Sequence, residues 1–488
     1  MIYHGIILAG SRSELAGRNI AGYRLRTSAE HFGYNMLIID SATAMSSNEL
    51  ELILDATVTN DTLLLGISIA WLDTFASSDI EWITDDVLAR FKSKYRHLKI
   101  IIGGSDDTLR LMGSKSLYKS CDWFFQGFSD ISFIKLLDLL SNKTNHGLKY
   151  MINNQGKKIV DSNAHYPIID PDSIETVFKI EDGFEAHQPI PLEVSRGCIF
   201  SCPFCTHPFQ GKKDFDSYIR TPDSIARELK RNYDLFGTTR YSIMDDTFND
   251  SMEKINRLER AVELAKISNF EFVAYIKPEL LVTKTGMMDR LIQLGLKGAF
   301  FGVESMNNAT RKIVHKGMDI QKILDSAYYL TGKGVKIHAS FISGLPGDTI
   351  ENLYHTHELL VKNKDKMFTS WIFQTLGLYL NENMSGTSAM EKNPEKYGYT
   401  LINPKPNAGQ DWKNEYMTRQ QANYNSEILN NLTRKIVRPA GWWLASAWNN
   451  NETQERINTM TAHTELNLYT KSRQLVMTRA LTVINQFK

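Results

Sequence analysis

The stretch Glu193-Val-Ser-Arg-Gly-Cys-Ile-Phe-Ser-Cys-Pro-Phe-Cys205 holds three of the four cysteines of the chain within eight residues. They are Cys198, Cys202 and Cys205, in the spacing C-x3-C-x2-C. Three clustered thiolates form a soft metal site, and a four-iron cluster held by only three of them keeps one iron open to another molecule. Residues 191–195 read as a short apolar strand. The cysteines therefore follow a strand, which is where a barrel enzyme presents its chemistry.

Two other interpretations of the three cysteines stay open. Zinc would take the thiolates together with His207 as a Cys3His site, and the chain would then be a zinc-stabilised binding module without catalysis. Structural zinc ligands usually come as two separated pairs, and the sequence has no second pair. The thiols could also be plain buried residues, although three so close together make this the weakest alternative.

The composition describes an ordinary globular protein. At 488 residues the chain is long for one core, so two or three domains are expected. The net charge of +1 provides no global field for nucleic acid or for an anionic membrane surface. Four cysteines, three of them clustered, do not make a disulfide framework, and we expect a reducing cytoplasm. No apolar run reaches the ~18 residues of a membrane span, so no membrane partner is expected.

The first 145 residues alternate buried strand patterns with helix patterns, which predicts a doubly wound parallel sheet of the Rossmann-like kind. Its strands are predicted at Tyr3–Ala9, Met36–Asp40, Leu63–Ile69, Ile100–Ile102 and Trp123–Phe125, and its helices at Ile20–Phe32, Glu49–Ala56, Asp79–Tyr95 and Ile131–Leu140. Residues 146–190 are predicted to hold a hairpin, Lys149–Val160, and then a linker wrapped on the next domain.

From residue 191 to about 400 the pattern predicts six strand–helix units, which make a partial barrel. The predicted strands are Leu192–Ser195, Arg240–Met244, Phe270–Ile276, Ala299–Val303, Lys336–Ile342 and Ser370–Leu376. Residues 401–488 are polar and favour helix, with tryptophans at 442, 443 and 448. We expect a helical cap there.

Polar or glycine motifs follow three more of the predicted strands. Asp245-Asp246 comes after the second strand, Gly302-Val-Glu304-Ser305 after the fourth, and Ser343-Gly344-Leu-Pro-Gly-Asp-Thr349 after the fifth. The carboxyl ends of parallel strands meet at one edge, so these motifs are expected to gather near the cysteine loop. A carboxylate there suits an ammonium group that is partly removed from water.

Together with the cysteine loop, these motifs resemble the radical S-adenosylmethionine (SAM) superfamily over residues 191–400. The resemblance implies that the three cysteines hold a 4Fe–4S cluster whose open iron takes the amino and carboxylate groups of SAM. The reduced cluster would cleave SAM to a 5′-deoxyadenosyl radical. The chain departs from the family pattern at Asp348, where the family has glutamate, and at Ser385, where related enzymes have proline.

The resemblance also implies which residues contact SAM. They are Phe204 beside the adenine, Asp245 or Asp246 on the amino group, Glu304 and Ser305 on the ribose and methionine portions, and Ser343 and Gly344 along the adenine. Structural alternatives exist: the aspartates would cap the following helix, Glu304 would pair with Lys316, and Asp348 or Thr349 would cap the next helix.

The first domain resembles the cobalamin-binding domains of one branch of the family. Ser68 and the pair Gly103-Gly104 stand at the expected strand ends. The Asp-x-His-x-x-Gly motif after strand one is absent, because residues 11–22 contain no histidine, and His31 lies a helix further on. Two interpretations of this domain stay open: it binds cobalamin without a protein ligand below the cobalt, or it is a scaffold that binds no cofactor. With cobalamin we expect methyl transfer to an unactivated carbon; without it, radical rearrangement or oxidation. An electron donor such as flavodoxin or ferredoxin is implied, and the substrate is not identified.

Overall fold

The computed structural model describes residues 2–9, 18–40, 42, 45–69, 82–104, 118–143, 147–153, 156–167, 169–184, 188–206, 218–317, 319–380, 387–405 and 409–437. Two sheets organise these residues, one in each half of the chain. Within this part of the chain, no helix combines the length and the hydropathy needed to cross a bilayer.

The first sheet has seven strands in the order β2-β1-β3-β4-β5-β7-β6, and all neighbours are parallel except β6 and β7. Its strands are β1 (Gly5–Ala9), β2 (Met36–Ile39), β3 (Leu64–Ser68), β4 (Lys99–Gly104), β5 (Trp123–Gln126), β6 (Met151–Ile152) and β7 (Lys158–Asp161). Strands β1, β3 and β5 are buried along their whole length, as parallel strands covered on both faces must be. The predicted doubly wound sheet is confirmed.

Helices cover this sheet, most of them at the predicted positions; the short helix Ser162–His165 falls in the segment predicted as a linker. The helices are α1 (Ile20–His31), α2 (Ser47–Thr57), α3 (Ala89–Lys94), α4 (Asp130–Leu140) and α5 (Ser162–His165), with a π-helical segment at Trp82–Leu88 before α3. Local signals fix two of the starts. Asn19 accepts a hydrogen bond from the backbone of Ala21, and Ser46 forms a capping box with Glu49.

The predicted hairpin is present, but it belongs to the first sheet. Strand β7 pairs with β5 in parallel, from Trp123 opposite Lys158 to Gln126 opposite Asp161. Strand β6 then adds an antiparallel edge. The buried residues Ile159 and Val160 explain the placement, because they need the core of the sheet for burial.

The second sheet has six parallel strands in the chain order β8 to β13, the arrangement expected of a partial barrel. The strands are β8 (Ile190–Leu192), β9 (Arg240–Ile243), β10 (Glu271–Ile276), β11 (Leu296–Glu304), β12 (Lys336–Ser343) and β13 (Ser370–Thr375). The helices around it are α6 (Pro222–Phe236), α7 (Met252–Ala265), α8 (Pro278–Thr283), α9 (Met287–Leu294), α10 (Asn308–Ile313), α11 (Ile320–Gly332) and α12 (Ile350–Lys362). Six strands are present as predicted, but β8 ends at Leu192 and so overlaps the predicted strand Leu192–Ser195 by one residue.

The segment between the two sheets, residues 169–184, is held from both sides. Arg24 of α1 donates to the carbonyls of Ser173 and Glu175, at 2.6 Å each. From the other side, Arg231 of α6 pairs with the Glu175 carboxylate at 2.5 Å. The predicted linker therefore packs between α1 and α6, and it ties the first domain to the second.

A chain of buried charges also crosses from one domain to the other. The Asp130 carboxylate, at the start of α4, is 2.8 Å from Arg24 and 2.5 Å from Arg196. Arg196, two residues before Cys198, is also hydrogen bonded to Glu193 at 2.5 and 3.0 Å. All four side chains are less than 10% exposed. The entry to the cysteine loop is thus anchored on a residue of the first domain.

The last part of the chain differs in part from the predicted helical cap. Two short antiparallel strands, β14 (Thr400–Ile402) and β15 (Asp411–Lys413), follow the short helix α13 (Ala389–Lys392) and precede α14 (Arg419–Arg434). Trp412 of β15 is fully buried, which explains why this segment is extended on the core and does not continue as helix. The tryptophans at 442, 443 and 448 lie outside the described residues.

Candidate metal and cofactor site

The three clustered cysteines lie on one loop after β8, at the carboxyl edge of the second sheet, and all three are half-buried. The backbone N–H of Cys205 donates to the Cys202 carbonyl at 3.0 Å, which closes a tight turn. The N–H of Met390 in α13 donates to the Pro203 carbonyl at 2.9 Å and docks the loop on the domain. Phe204 is partly buried against the core of the second domain.

Two side chains from neighbouring strand ends contact these thiols. The Cys198 thiol donates to the Thr247 hydroxyl at 3.5 Å, and the Lys277 ammonium lies 3.9 Å from Cys202 Sγ. Burial raises the pKa of Cys198. Cys121, by contrast, is 1% exposed in the core of the first domain, and burial raises the pKa of its thiol strongly. Cys121 is therefore a buried cysteine whose thiol is not activated.

The donor set of the loop, three thiolates, suits an iron–sulfur cluster. Among the described residues, no three Cys, His, Asp or Glu side chains are arranged to hold an ion. A zinc site needs four donors converging at about 2.0–2.3 Å from one point, and its proposed fourth ligand, His207, lies outside the described residues. Among the described residues the loop offers three thiolates, which is the set that a cluster with one open iron takes.

Asp245 holds the segment between β8 and the cysteine loop in place. Its Oδ1 accepts hydrogen bonds from the backbone N–H groups of Val194 and Ser195 at 2.9 and 3.1 Å, and its Oδ2 accepts from the Ser195 hydroxyl at 2.6 Å. The following helix, α7, is capped by Ser251, so the capping alternative for the aspartate pair is wrong. Contact of Asp245 or Asp246 with SAM stays a prediction.

A buried lysine that the sequence analysis missed supports Asp245. Lys254 is 0% exposed and lies 3.4 Å from Asp245 and 3.2 Å from Asp250. Its ammonium also donates to the Thr247 carbonyl at 2.8 Å. The four-residue spacing of Asp250 and Lys254 across the helix start was the available signal.

Glu304 pairs with Lys316, which is the alternative that the sequence left open. The Glu304 Oε1 is 3.4 Å from the Lys316 ammonium, which also donates to the Gly302 carbonyl at 2.8 Å. Burial raises the pKa of Glu304. A Cβ on Gly302 would lie 2.4 Å from Glu304 Oε1, so the glycine of this motif makes room for the glutamate. A contact of Glu304 with SAM stays a prediction.

Among the described residues around Glu279 and Glu304, cations outnumber carboxylates. Burial alone would raise the pKa of Glu279, but Lys316, Lys277 and Arg311 lower it below its ordinary value. Arg311 forms the tightest of these pairs, at 2.6 Å. With Glu304 included, three cations face two carboxylates, which leaves one positive charge in surplus beside Cys202. Such a surplus suits anionic ligands.

Ser305 and Asp348 join the ends of β11 and β12. The Ser305 hydroxyl donates to Asp348 at 3.0 Å, and burial raises the pKa of Asp348 to about 6. Thr349 accepts from the backbone of Asn352 and caps α12, as expected. The contact of Ser305 with SAM stays a prediction.

The space beside Gly344 is filled by protein. Gly344 has a φ of +95°, and a Cβ there would lie 2.3 Å from the Trp412 ring. The neighbouring Ser343 accepts a hydrogen bond from Ser426 of α14 at 2.8 Å. The close approach that requires this glycine is therefore made to Trp412, and the adenine contact of residues 343–344 stays a prediction.

In the first domain, Ser68, Gly103 and Gly104 come together at the carboxyl edge of the sheet. Ser68 is opposite Gly103 in the β3–β4 pairing, and it accepts a hydrogen bond from Asn19 at 3.0 Å. The loops after β1, β3 and β4 lie outside the described residues. His31 is exposed in the last turn of α1, at the opposite edge, so it does not approach this site.

Comparisons with known proteins agree with this architecture. The sequence pattern of the Radical SAM superfamily matches residues 192–360. A putative methylthiotransferase from Methanocaldococcus jannaschii is 25% identical over 229 residues, which cover 44% of this chain and 47% of the relative. The chain matches about half the length of the curated relatives.

Two solved structures share the fold over nearly the whole chain. One is the radical SAM methyltransferase TsrM from Kitasatospora setae with cobalamin and a [4Fe-4S] cluster bound, at 13% identity and a TM-score of 0.62, covering 99% of this chain and all of that one. The other is the cobalamin-dependent SAM radical enzyme OxsB, at 14% identity and a TM-score of 0.57, covering 99% of this chain and 80% of that one.

Proposed function

We propose that this chain, which carries a radical SAM domain at residues 192–360, holds a 4Fe–4S cluster on Cys198, Cys202 and Cys205 and binds SAM at the open iron. The observation that carries the proposal is the position of these cysteines, on one loop at the carboxyl end of the first strand of a six-stranded parallel sheet. When bound and reduced, the cluster supplies the electron that cleaves SAM and starts radical chemistry.

The protein's own contribution is to fix this loop and to shape the space beside it. Asp245 and Lys254 hold the strand end before Cys198, and Arg196 anchors the loop on Asp130 of the first domain. These contacts are buried, so the loop is set in place before a ligand arrives. Asp246 after β9 and Glu304 at the end of β11 then offer carboxylates, at the same edge of the sheet, for the amino and ribose groups of SAM.

We further propose that the first domain binds cobalamin and that the reaction is methyl transfer to an unactivated carbon. The likeness to TsrM and OxsB supports this, and so does the grouping of Ser68, Gly103 and Gly104 at one sheet edge. Residues 11–22 contain no histidine, so the cofactor would be held without an imidazole from that loop. An external one-electron donor and an unidentified substrate complete the proposal.

Anaerobic reconstitution followed by cobalamin loading tests both parts. Iron and sulfide should assemble about four irons per chain, with broad visible absorbance. Hydroxocobalamin should then survive desalting at about one per chain, and the reduced form should show no splitting from a histidine nitrogen in electron paramagnetic resonance. One zinc per chain without iron would overturn the cluster. Complete loss of cobalamin on desalting would overturn the methyl-transfer proposal and favour a cobalamin-independent rearrangement or oxidation.

The variant Glu304→Gln should weaken SAM binding and leave iron content unchanged. It removes a charge and keeps the shape, and a charge-assisted hydrogen bond is worth about 1.5–3 kcal/mol, or roughly ten- to a hundredfold in affinity. Isothermal titration of SAM into the reconstituted protein measures this. If the variant is less stable but binds SAM with unchanged affinity, the role of Glu304 is only structural, through its ion pair with Lys316.

A further inference from the structure

Lys277 places a buried positive charge against the cysteine loop. It follows the end of β10, its side chain is only 9% exposed, and its ammonium lies 3.9 Å from Cys202 Sγ. The same ammonium lies 4.4 Å from the centre of the Phe200 ring, within the loop itself. Two residues of the loop therefore face this cation.

The backbone of Lys277, and not its ammonium, supports the fold. Its N–H donates to the Asn249 side chain at 2.8 Å, and its carbonyl accepts from the same side chain at 3.0 Å. Its carboxylate contact, Glu279, is 3.9 Å away and is already bound by Arg311 at 2.6 Å. A buried ammonium is stabilised most by a close anion, and the acceptor that the Lys277 ammonium faces is the Cys202 sulfur.

Lys316 shows the contrasting arrangement. Its ammonium donates to the Gly302 carbonyl at 2.8 Å and pairs with Glu304 at 3.4 Å. These contacts bind Lys316 to β11, whereas Lys277 is directed at the loop. Both lysines feel the charge of Cys202, and Lys277 is the one whose ammonium contacts the Cys202 sulfur.

We infer that Lys277 sets the reduction potential of the cluster by placing its charge beside the Cys202 thiolate. The inference rests on the proposed function, since it requires a cluster on this loop. Reduction adds one electron from an external reductant and so one negative charge, which a nearby cation stabilises. Hydrogen bonds to the sulfurs and local net charge are the levers that move such potentials. Lys277 supplies both, and it raises the potential.

A redox titration without SAM tests this inference. Lys277→Met, Lys277→Gln, Lys277→Arg and the unsubstituted protein are reconstituted, and each is titrated with dithionite while the reduced cluster is followed by electron paramagnetic resonance. The matched control is Lys297→Met, which removes a 44%-exposed lysine at the far end of β11. Both neutral Lys277 variants should shift the midpoint potential to more negative values. Lys277→Arg and the control should stay near the unsubstituted protein.

Two results would overturn the inference. One is an unchanged potential in Lys277→Met at full iron content. The other is loss of iron from both neutral variants, because the charge would then serve assembly and not the potential. Absence of iron from the unsubstituted protein would instead overturn the proposed function, so the two failures are distinguishable.

Discussion

Replacing Cys198, Cys202 or Cys205 by alanine should reduce the iron content of the reconstituted protein to near background. In the proposed site each cysteine supplies one of three thiolate ligands, and two thiolates do not hold a four-iron cluster. The fold should persist, because the three side chains are half-buried on a loop and lie outside both cores. Iron and sulfide assays, visible absorbance and circular dichroism of each variant measure the two effects.

The matched control for these variants is Cys121→Ala. Cys121 is 1% exposed within the core of the first domain, so its removal should leave iron content unchanged. Normal iron in Cys202→Ala would remove that residue from the ligand set. Loss of iron in Cys121→Ala would contradict the separation of the first-domain core from the cysteine loop.

Asp130→Ala should destabilise the protein by about 3–5 kcal/mol, because it leaves the buried guanidinium groups of Arg24 and Arg196 without their shared carboxylate. Burial alone would raise the pKa of Asp130, but Arg196 and Arg24 lower it. The stabilisation is therefore complete at neutral pH and is lost only as the pH falls through that lowered pKa. Urea unfolding at pH 7 measures the change.

Asp234→Ala is the control for Asp130→Ala. Asp234 pairs with Lys230 on α6, and both side chains are more than half exposed, so solvent screens the pair and little stability should be lost. Equal unfolding midpoints for the two variants would contradict the assignment of Asp130 as a buried bridge between domains.

The sequence was a good guide to the sheets because their strands are buried runs whose boundaries fall at turns and caps. It also located the cysteine loop, because the three cysteines lie within eight residues and their spacing can be read directly from the sequence. It missed Lys254 and Arg311, which lie in helices, and Lys277, which follows a strand, because a single basic residue looks exposed until its neighbours are known. Likewise, the glycine at 344 signalled a close contact, but the sequence could not identify Trp412 as the partner.

Two three-residue strands near the end of the chain were also missed. Strands β14 and β15 are too short to show an alternating pattern, and polar residues flank Trp412. Their position depends on tertiary contacts, among them the hydrogen bond from the Trp412 indole N–H to the Leu376 carbonyl at 3.0 Å. Such contacts join distant parts of the chain and leave no local signature.

The shared carboxylate of Asp130 also limits how this protein can be recombined with its relatives. A first domain grafted from another chain must bring an acidic side chain to the start of its α4, or Arg196 will be buried beside Glu193 with one partner fewer. The same graft replaces Arg24 of α1, so the Ser173 and Glu175 carbonyls of the 169–184 segment would lose their donor. A chimera that exchanges a domain should therefore fold only when Arg24 and Arg196 both keep their hydrogen-bond acceptors. The exchanged segment must then include residues from both sides of the domain boundary.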